Sequence, residues 1–414
     1  MNLHKLLKKT NIINYKKYIN HNISLITDNS NSIIDNSIFV CIDGYHKDGH
    51  DFILDAVNKK VKTIFIQYDL CINNNFNNIN IIKVKNTKKI FSLLIYYYKE
   101  KYFKNRILIG LTGTNGKTSS STIIYNYLSR KNKKVILIGS NGIIYKNNNY
   151  SINNTTPNLK EITDIFDTIN KLKYKYIIME VSSISIKESR IFPLKFNIKI
   201  FTNLSLDHLD YHKSIIDYRY SKLLLFLMNS SKNEKILLNI DDPTSVFYSK
   251  FINDKKIKYY SLKNKEESNY YLEKIIKTKS KEYFSINNKL YKSNLTFDFN
   301  LYNILASYSV LDLLKINLND FNDFLLSFTN IDGRLDFFYL KNRYFLIDFA
   351  HTPDGIKNVL SMLDKTKYTK IIQTALPHLP LNASRASFLI SDGGIKFPPF
   401  FCINLLLKYN NIQN

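Results

Sequence analysis

The sequence predicts the α/β class: a small N-terminal α/β domain, a central doubly wound, mainly parallel sheet, and the opening of a third α/β domain. Three observations lead there. From about residue 105, short apolar runs alternate with stretches of helical periodicity, the pattern of a parallel sheet with helices on both faces. The stretch ILIGLTGTNGKTSSSTIIYNYL, 107–128, joins a buried strand to a helix through a glycine-rich turn. Polar clusters recur where the predicted strands end, which is where ligands gather in open α/β sheets.

Taken in order, Ser37–Asp43 reads as a strand, and Gly44 to Asp51 as a polar loop in which His46 and His50 are either solvated or ligands. FILDAVNKK reads as a helix and VKTIFIQY as a strand. The Asn-rich stretch Ile72–Ile82 reads as an exposed loop, because so polar a run buries little. In the central part, Ile107–Leu111, Val135–Ile138, Tyr176–Val181 and Ile198–Asn203 are strands. After the first comes Gly113-Thr-Asn-Gly-Lys-Thr118. Its glycines let the backbone turn with N–H groups inward, Lys117 supplies a cation, Thr118 a hydroxyl for a metal, and the helix N-terminus a partial positive charge, which together make a cradle for polyphosphate. Leu111 stands where a full Walker pattern has its first glycine. Thr156 and Pro157 fit the N-cap and first position of a helix, and contact with a ligand is the alternative. Glu180 ends an apolar run; a carboxylate there is costly unless it meets a cation, so a metal role is expected. Asp207-His-Leu-Asp-Tyr-His212 after the fourth strand points to magnesium coordination when it accompanies a phosphate loop.

Composition narrows the classes. Lys and Arg number 59 against 34 Asp and Glu, a net charge of +25. The lysines are spread through every segment alongside Asn, Ile, Tyr and Phe, a residue set that AT-rich codons favour, and no basic module interleaved with aromatics occurs; nucleic acid is not an expected partner. Cys41, Cys71 and Cys402 are too few and too scattered for a disulfide framework or a zinc site. No run approaches ~18 apolar residues and the N-terminus lacks a signal-like segment, so a cytoplasmic protein without membrane insertion is expected.

Read together, DGHDFI (48–53), GTNGKTS (113–119), NTTPN (154–158), MEVSS (179–183), FTNLSLDHLDYH (201–212), Lys222, FNLYN (299–303), GR (333–334) and LIDFAHTPD (346–354) resemble the Mur ligase superfamily, most closely its UDP-N-acetylmuramoyl-tripeptide synthetases. Folylpolyglutamate synthases share fewer of them. The resemblance implies an ATP- and magnesium-dependent amide ligase that adds a diamino acid, meso-diaminopimelate or L-lysine, to UDP-N-acetylmuramoyl-L-alanyl-D-glutamate, acting as a monomer. By this likeness Gly113, Thr114, Asn115, Gly116, Lys117, Thr118, Ser119, Asn303, Arg334 and Asp348 contact ATP. Thr118, Glu180, His208 and a carbamylated Lys222 hold magnesium, with Lys117, His208 and Lys222 the catalytic set. Asn154, Thr155, Thr156, Ser182 and Arg190 contact the UDP-sugar. Carbamylation requires the Lys222 amine to lose its proton first; an unmodified lysine in a surface salt bridge is the alternative. Three positions depart from the pattern: Ile184 replaces a histidine, Glu188 a glutamine, and Asp28-Asn29-Ser30 stands where Asp-Ser-Arg is usual.

The domain boundaries expected from this reading are 1–103 for the UDP-substrate domain, 104–332 for the ATP-binding domain and 333–414 for an incomplete Rossmann-like domain. In the last, Tyr344–Phe349 is a strand, Thr352-Pro353 caps a helix through Leu363, and Lys370–Thr374 is a strand. From about 375 the texture changes. Four of the eight prolines, at 377, 380, 398 and 399, fall in this tail, and the Asp-Asn-Pro-Arg motif that would bind the incoming amino acid is absent. A truncation or frameshift near 374 is the expectation, and a remnant that binds nucleotide without completing ligation is the rival function. The run FFCINLLL either packs on the domain or stands exposed.

Overall fold

The computed structural model describes residues 1–12, 17–44, 47–69, 76, 78–169, 171–277, 282–295, 298–328, 331, 334, 336–340, 343–348, 350, 359, 368–376 and 402–409. In chain order the elements are α1 (Leu3–Lys9), β1 (Ile26–Thr27), β2 (Ile38–Val40), α2 (Ile53–Asn58), β3 (Thr63–Ile66), β4 (Asn80–Lys83), α3 (Thr87–Tyr98), β5 (Ile107–Thr112), α4 (Lys117–Arg130), β6 (Val135–Gly139), β7 (Gly142–Tyr145), β8 (Asn148–Tyr150), α5 (Leu159–Thr168), β9 (Tyr176–Glu180), α6 (Ser183–Lys187), β10 (Ile198–Phe201) and α7 (Ile215–Leu227). They continue with β11 (Lys235–Asn239), α8 (Pro243–Ser249), β12 (Ile257–Ser261), β13 (Tyr270–Lys277), β14 (Glu282–Ile286), β15 (Lys289–Ser293), α9 (Asp298–Leu313), α10 (Phe321–Ser327), β16 (Asp336–Leu340), β17 (Arg343–Asp348), β18 (Tyr368–Leu376) and β19 (Cys402–Tyr409). By internal contacts the chain forms two compact units, 1–110 with 133–199 and 220–234, and 111–132 with 200–219 and 235–414.

The first unit opens with a four-stranded parallel sheet, β1-β2-β3-β4. Its two inner strands, β2 and β3, are buried at every position, as the central strands of a parallel sheet covered by helices are. Ile33, Phe39, Cys41, Ile53, Ala56, Val61, Ile64 and Ile66 form its core. Burial pushes the Cys41 thiol up to about 12, so it packs as a small inert hydrophobe. The strand expected over Ser37–Asp43 is shorter, Ile38–Val40, and the end of the Asn-rich stretch is not loop: Asn80–Lys83 is β4. Asn80 is buried because its carboxamide accepts from Ile19 N and donates to Ile19 O and Thr63 Oγ1, which meets the cost of burying an amide. The same unit holds the order β9-β6-β7-β8, with β6 and β9 parallel and β6-β7-β8 an antiparallel meander.

In the second unit the order is β15-β14-β13-β12-β11, parallel from β11 to β13 and antiparallel beyond. Helices α4 and α9 lie against each other there through small residues: Ser307 Oγ donates to Ser120 O at 3.1 Å, and Ser120 Oγ to Asn303 Oδ1 at 3.3 Å. β16-β17-β19-β18 make a wholly antiparallel sheet. The strands expected at Tyr344–Phe349 and Lys370–Thr374 are β17 and β18, and the apolar run near the C-terminus is β19, hydrogen-bonded between them. Of the helix expected after Thr352-Pro353 only Val359, buried and helical, lies among the described residues, and His46 and Cys71 lie outside them. Among the described residues no helix is long and apolar enough to cross a membrane.

Candidate active site

The glycine-rich turn expected between a strand and a helix forms between β5 and α4. α4 begins at Lys117, and Gly116 is its N-cap in the left-handed region at φ 85°, where a side chain would be strained. Gly113 is also left-handed, φ 152°, and a Cβ there would come within 1.8 Å of Thr202 Oγ1. Two residues just beyond β10 hold the loop from below: Thr202 Oγ1 donates to Asn115 O at 2.7 Å, while Asn203 accepts from Asn115 N at 2.9 Å and donates back to Asn115 O at 3.1 Å. Lys117 Nζ donates to Gly113 O and Thr114 O at 2.7 and 2.8 Å, so the cation sits over the loop's own carbonyls.

Two of the more distant predicted residues come to the same place. A Cβ on Gly116 would meet Asn303 Oδ1 at 2.5 Å, which places the Asn303 amide directly against the loop. Arg334 Nη2 donates to Thr118 Oγ1 at 3.3 Å. Asp348 is buried and accepts from Ala350 N at 2.7 Å. His208 follows in the same unit with a left-handed backbone, φ 52°, its Nε2 3.4 Å from Asp207 Oδ2.

The first unit carries a second cluster, around the end of β9. Glu180 is 1 % exposed and accepts from Ser140 N and Ser140 Oγ at 3.1 and 3.3 Å. Gly139 makes room for it, since a Cβ there would lie 2.1 Å from Glu180 Oε1. Thr155 Oγ1 is 3.2 Å from Ser140 Oγ. Thr156 does not cap α5. Asn158 does, its side chain accepting from Glu161 N, because an Asn followed three residues later by Glu is the better cap pair. Thr156 is instead fully buried, its hydroxyl donating to Glu180 O at 2.8 Å and accepting from Ser182 N at 2.9 Å, and Arg190 Nη1 donates to Thr156 O at 3.2 Å. Asn154 is exposed beside this cluster without a described bond to it. Lys222 is 1 % exposed, which rules out the surface salt bridge. His50 is neither solvated nor a ligand: Nε2 accepts from Gln67 N at 2.9 Å, which puts the proton on Nδ1, 2.5 Å from Asp48 Oδ1. Glu188 forms a 2.5 Å ion pair with Lys88, so the charge this chain carries in place of a glutamine is offset.

Residues 111–311 match the family model described as Mur ligase middle domain. The chain is 33 % identical over 374 residues to the UDP-N-acetylmuramoyl-L-alanyl-D-glutamate--2,6-diaminopimelate ligase of Oceanobacillus iheyensis, covering 88 % of this chain and 75 % of the relative. With the enzyme of the same name from Clostridium perfringens it shares 31 % over 404 residues, 91 % of this chain and 80 % of the other. The chain belongs to the Mur ligase family. A solved diaminopimelate ligase of that name shares the fold at TM-score 0.67 and 22 % identity, over 81 % of this chain and 69 % of that one. A Thermotoga maritima MurF ligase solved with ADP does so at TM-score 0.55 and 19 % identity, over 82 % and 74 %.

A Mur ligase is an ATP-dependent ligase of peptidoglycan synthesis, and the donor set fits such a nucleotide. In the second unit a lysine, an arginine and the start of α4 meet at the loop, and the Thr118 hydroxyl is a hard oxygen donor of the kind magnesium prefers; in the first unit the buried Glu180 carboxylate is another donor of that kind. Sequence reasoning gave no role to Gly139 and Ser140, and quoted Thr202 and Asn203 only within the FTNLSLDHLDYH stretch without assigning them one. For Gly139 and Ser140 the signal was their position at the carboxyl end of β6. A cavity of about 240 Å³ opens at the amino end of β5, and none of the predicted site residues lines it.

Proposed function

We propose that this Mur ligase joins meso-diaminopimelate to UDP-N-acetylmuramoyl-L-alanyl-D-glutamate at the expense of ATP, as a cytoplasmic monomer. The observation that supports it most is the loop itself. Lys117 over the turn, the N-terminal end of α4 and Arg334 on Thr118 are the proposed ATP cradle, in a chain one-third identical to ligases named for that reaction. The substrate carboxylate takes the γ-phosphoryl group, giving ADP and an acyl phosphate. The amine of the incoming diamino acid then attacks the carbonyl carbon, phosphate leaves with the former carboxylate oxygen, and the amine loses a proton. Carboxylate and triphosphate repel one another, so cations must hold them together while the phosphoryl group moves. Lys117 supplies one. Magnesium, when bound, offsets the remaining charge, and Thr118, Glu180, His208 and carbamylated Lys222 are its proposed ligands.

Burial of Lys222 supports the modification, because desolvation disfavours an ammonium and carbamylation requires the neutral amine. Asn154, Thr155, Thr156, Ser182 and Arg190 are proposed to hold the UDP-sugar, and Asn303 and Asp348 the nucleotide. The test is turnover by the purified chain. ADP release that requires both the UDP-muramoyl dipeptide and diaminopimelate supports the proposal, and release supported by L-lysine in its place reassigns the third substrate. Nucleotide binding with no product under any pairing identifies the remnant instead. Lys117→Ala is expected to lower ADP release at least about 100-fold with unchanged circular dichroism; undiminished release would remove the loop from the chemistry.

A further inference from the structure

Tyr218, on α7, is fully buried and meets two parts of the second unit that the reaction uses. Its hydroxyl lies 3.1 Å from Thr114 Oγ1, in the phosphate loop. Thr114 Oγ1 also accepts from Ser205 N at 3.0 Å and lies 3.3 Å from Ser205 O. One arrangement uses the whole capacity of that hydroxyl: it donates to Ser205 O and accepts from Ser205 N–H and from the Tyr218 O–H. Burial keeps the phenol pKa well above its ordinary range, so the donor proton is present at every working pH.

The ring of Tyr218 meets the histidines of the LDHLDYH turn. Its centroid is 5.1 Å from that of His212, tilted, and 6.1 Å from that of His208, edge-on. His212 is fully buried, its Nδ1 3.4 Å from Asp217 Oδ2, and its N–H donates to His208 O at 2.9 Å. His208 itself has φ 52°, a conformation that costs a side-chain-bearing residue about 1 kcal/mol and persists where the surroundings hold it. The Tyr218 ring and the His212 turn are those surroundings.

We propose that Tyr218 is a positioning residue of the ligase reaction, its hydroxyl holding the phosphate loop through Thr114 and its ring holding the imidazole of His208, so that one side chain sets nucleotide contact and metal ligand relative to each other. This rests on reading Gly113–Ser119 as the nucleotide loop and His208 as a magnesium ligand. The two contacts belong to different parts of the side chain and can be separated. Tyr218→Phe removes the hydroxyl and keeps the ring; Tyr218→Leu removes both.

The experiment is equilibrium titration of the full chain with ADP over a magnesium series, which needs no completed ligation, together with melting temperatures. Tyr218→Phe is expected to weaken ADP binding about tenfold, one lost hydrogen bond to a buried group, without moving the half-saturating magnesium concentration. Tyr218→Leu is expected to weaken ADP binding and raise that concentration severalfold. Thr114→Val should reproduce Tyr218→Phe, Thr114→Ser should restore wild-type affinity, and the Thr114→Val/Tyr218→Phe double variant should be no weaker than either single one. A purely structural tyrosine would lower the melting temperature and leave both binding parameters of the folded protein unchanged, and that result overturns the proposal. Lys117→Ala separates the two levels. If it abolishes ADP binding while Tyr218→Leu binds normally, the positioning role alone falls; if it binds ADP as wild type does, the nucleotide-loop reading falls and the proposal with it.

Discussion

Glu180 depends on what is missing from its neighbour. The carboxylate occupies the space a side chain on Gly139 would take, with Ser140 bonding both of its oxygens. Gly139→Ala is therefore expected to swing Glu180 off Ser140 and lower magnesium-dependent ADP release at least about tenfold, one charge-assisted hydrogen bond's worth, with the melting temperature little changed; full release would show that the carboxylate's position is immaterial. Elsewhere, His21 illustrates a pH effect unconnected with the reaction. Burial lowers its pKa, partly opposed by the bond to Asn22 O, and Lys62 lowers it further. Its Nε2 lies 2.8 Å from Thr63 Oγ1. Because the folded pKa is below the unfolded value, the unfolded chain binds the proton more readily, so stability is complete above about pH 6.5 and declines as pH falls through that value. Urea unfolding at pH 7.5 and 5.5 should show the loss, and His21→Gln should lessen it; equal slopes would dismiss it.

At the level of elements, the cap of α5 decides what Thr156 is free to do. With Asn158 accepting from Glu161 N, the Thr156 hydroxyl is left to join Glu180 O to Ser182 N. Asn158→Ala should cost about 1 kcal/mol in chemical denaturation, and Thr156→Val should spare the helix while loosening the Glu180 end of β9. If Thr156→Val cost the helix as much as Asn158→Ala does, the cap assignment would be wrong. The unit β5, loop and α4 was legible in the sequence because its three parts are consecutive: an apolar run, glycines that permit left-handed backbone, and a helix opened by Lys-Thr. The α5 cap was misplaced by two residues because Thr-Pro and Asn-x-x-Glu both satisfy local capping rules, and which one wins depends on where the buried hydroxyl finds partners.

Across the molecule as a whole, a fully buried ion pair shows how far apart in the chain a single interaction reaches. Lys199 Nζ lies 2.5 Å from Glu234 Oε1 and donates to Met228 O at 2.8 Å, with neither side chain exposed. Lys199→Met should destabilise by about 3–5 kcal/mol by stranding the glutamate, and Lys199→Met/Glu234→Leu should regain most of it in denaturant titration; equal losses in both would show that the pair contributes nothing as a pair. Net charge belongs to the same scale. The +25 is dispersed along the chain, and many of the lysines are spoken for by carboxylates, as in Lys9–Glu100, Lys88–Glu188, Lys99–Asp167 and Lys131–Asp320.

What the sequence determined by itself was local: the strand-loop-helix cradle, the alternation that makes the α/β class, and the ordered motifs that mark a Mur ligase. Tertiary structure alone decided the partners. Thr114 and Tyr218 are 104 positions apart, Thr118 and Arg334 are 216 apart, and Glu180 reaches Ser140 across 40. Apolar periodicity records which way a residue faces within its own element, since that follows from 3.6 and 2 residues per repeat. It carries no record of which strand lies alongside, and so none of which hydroxyl will meet Tyr218, which carboxylate will fill the space beside Gly139, or which glutamate will neutralise a lysine inside the core.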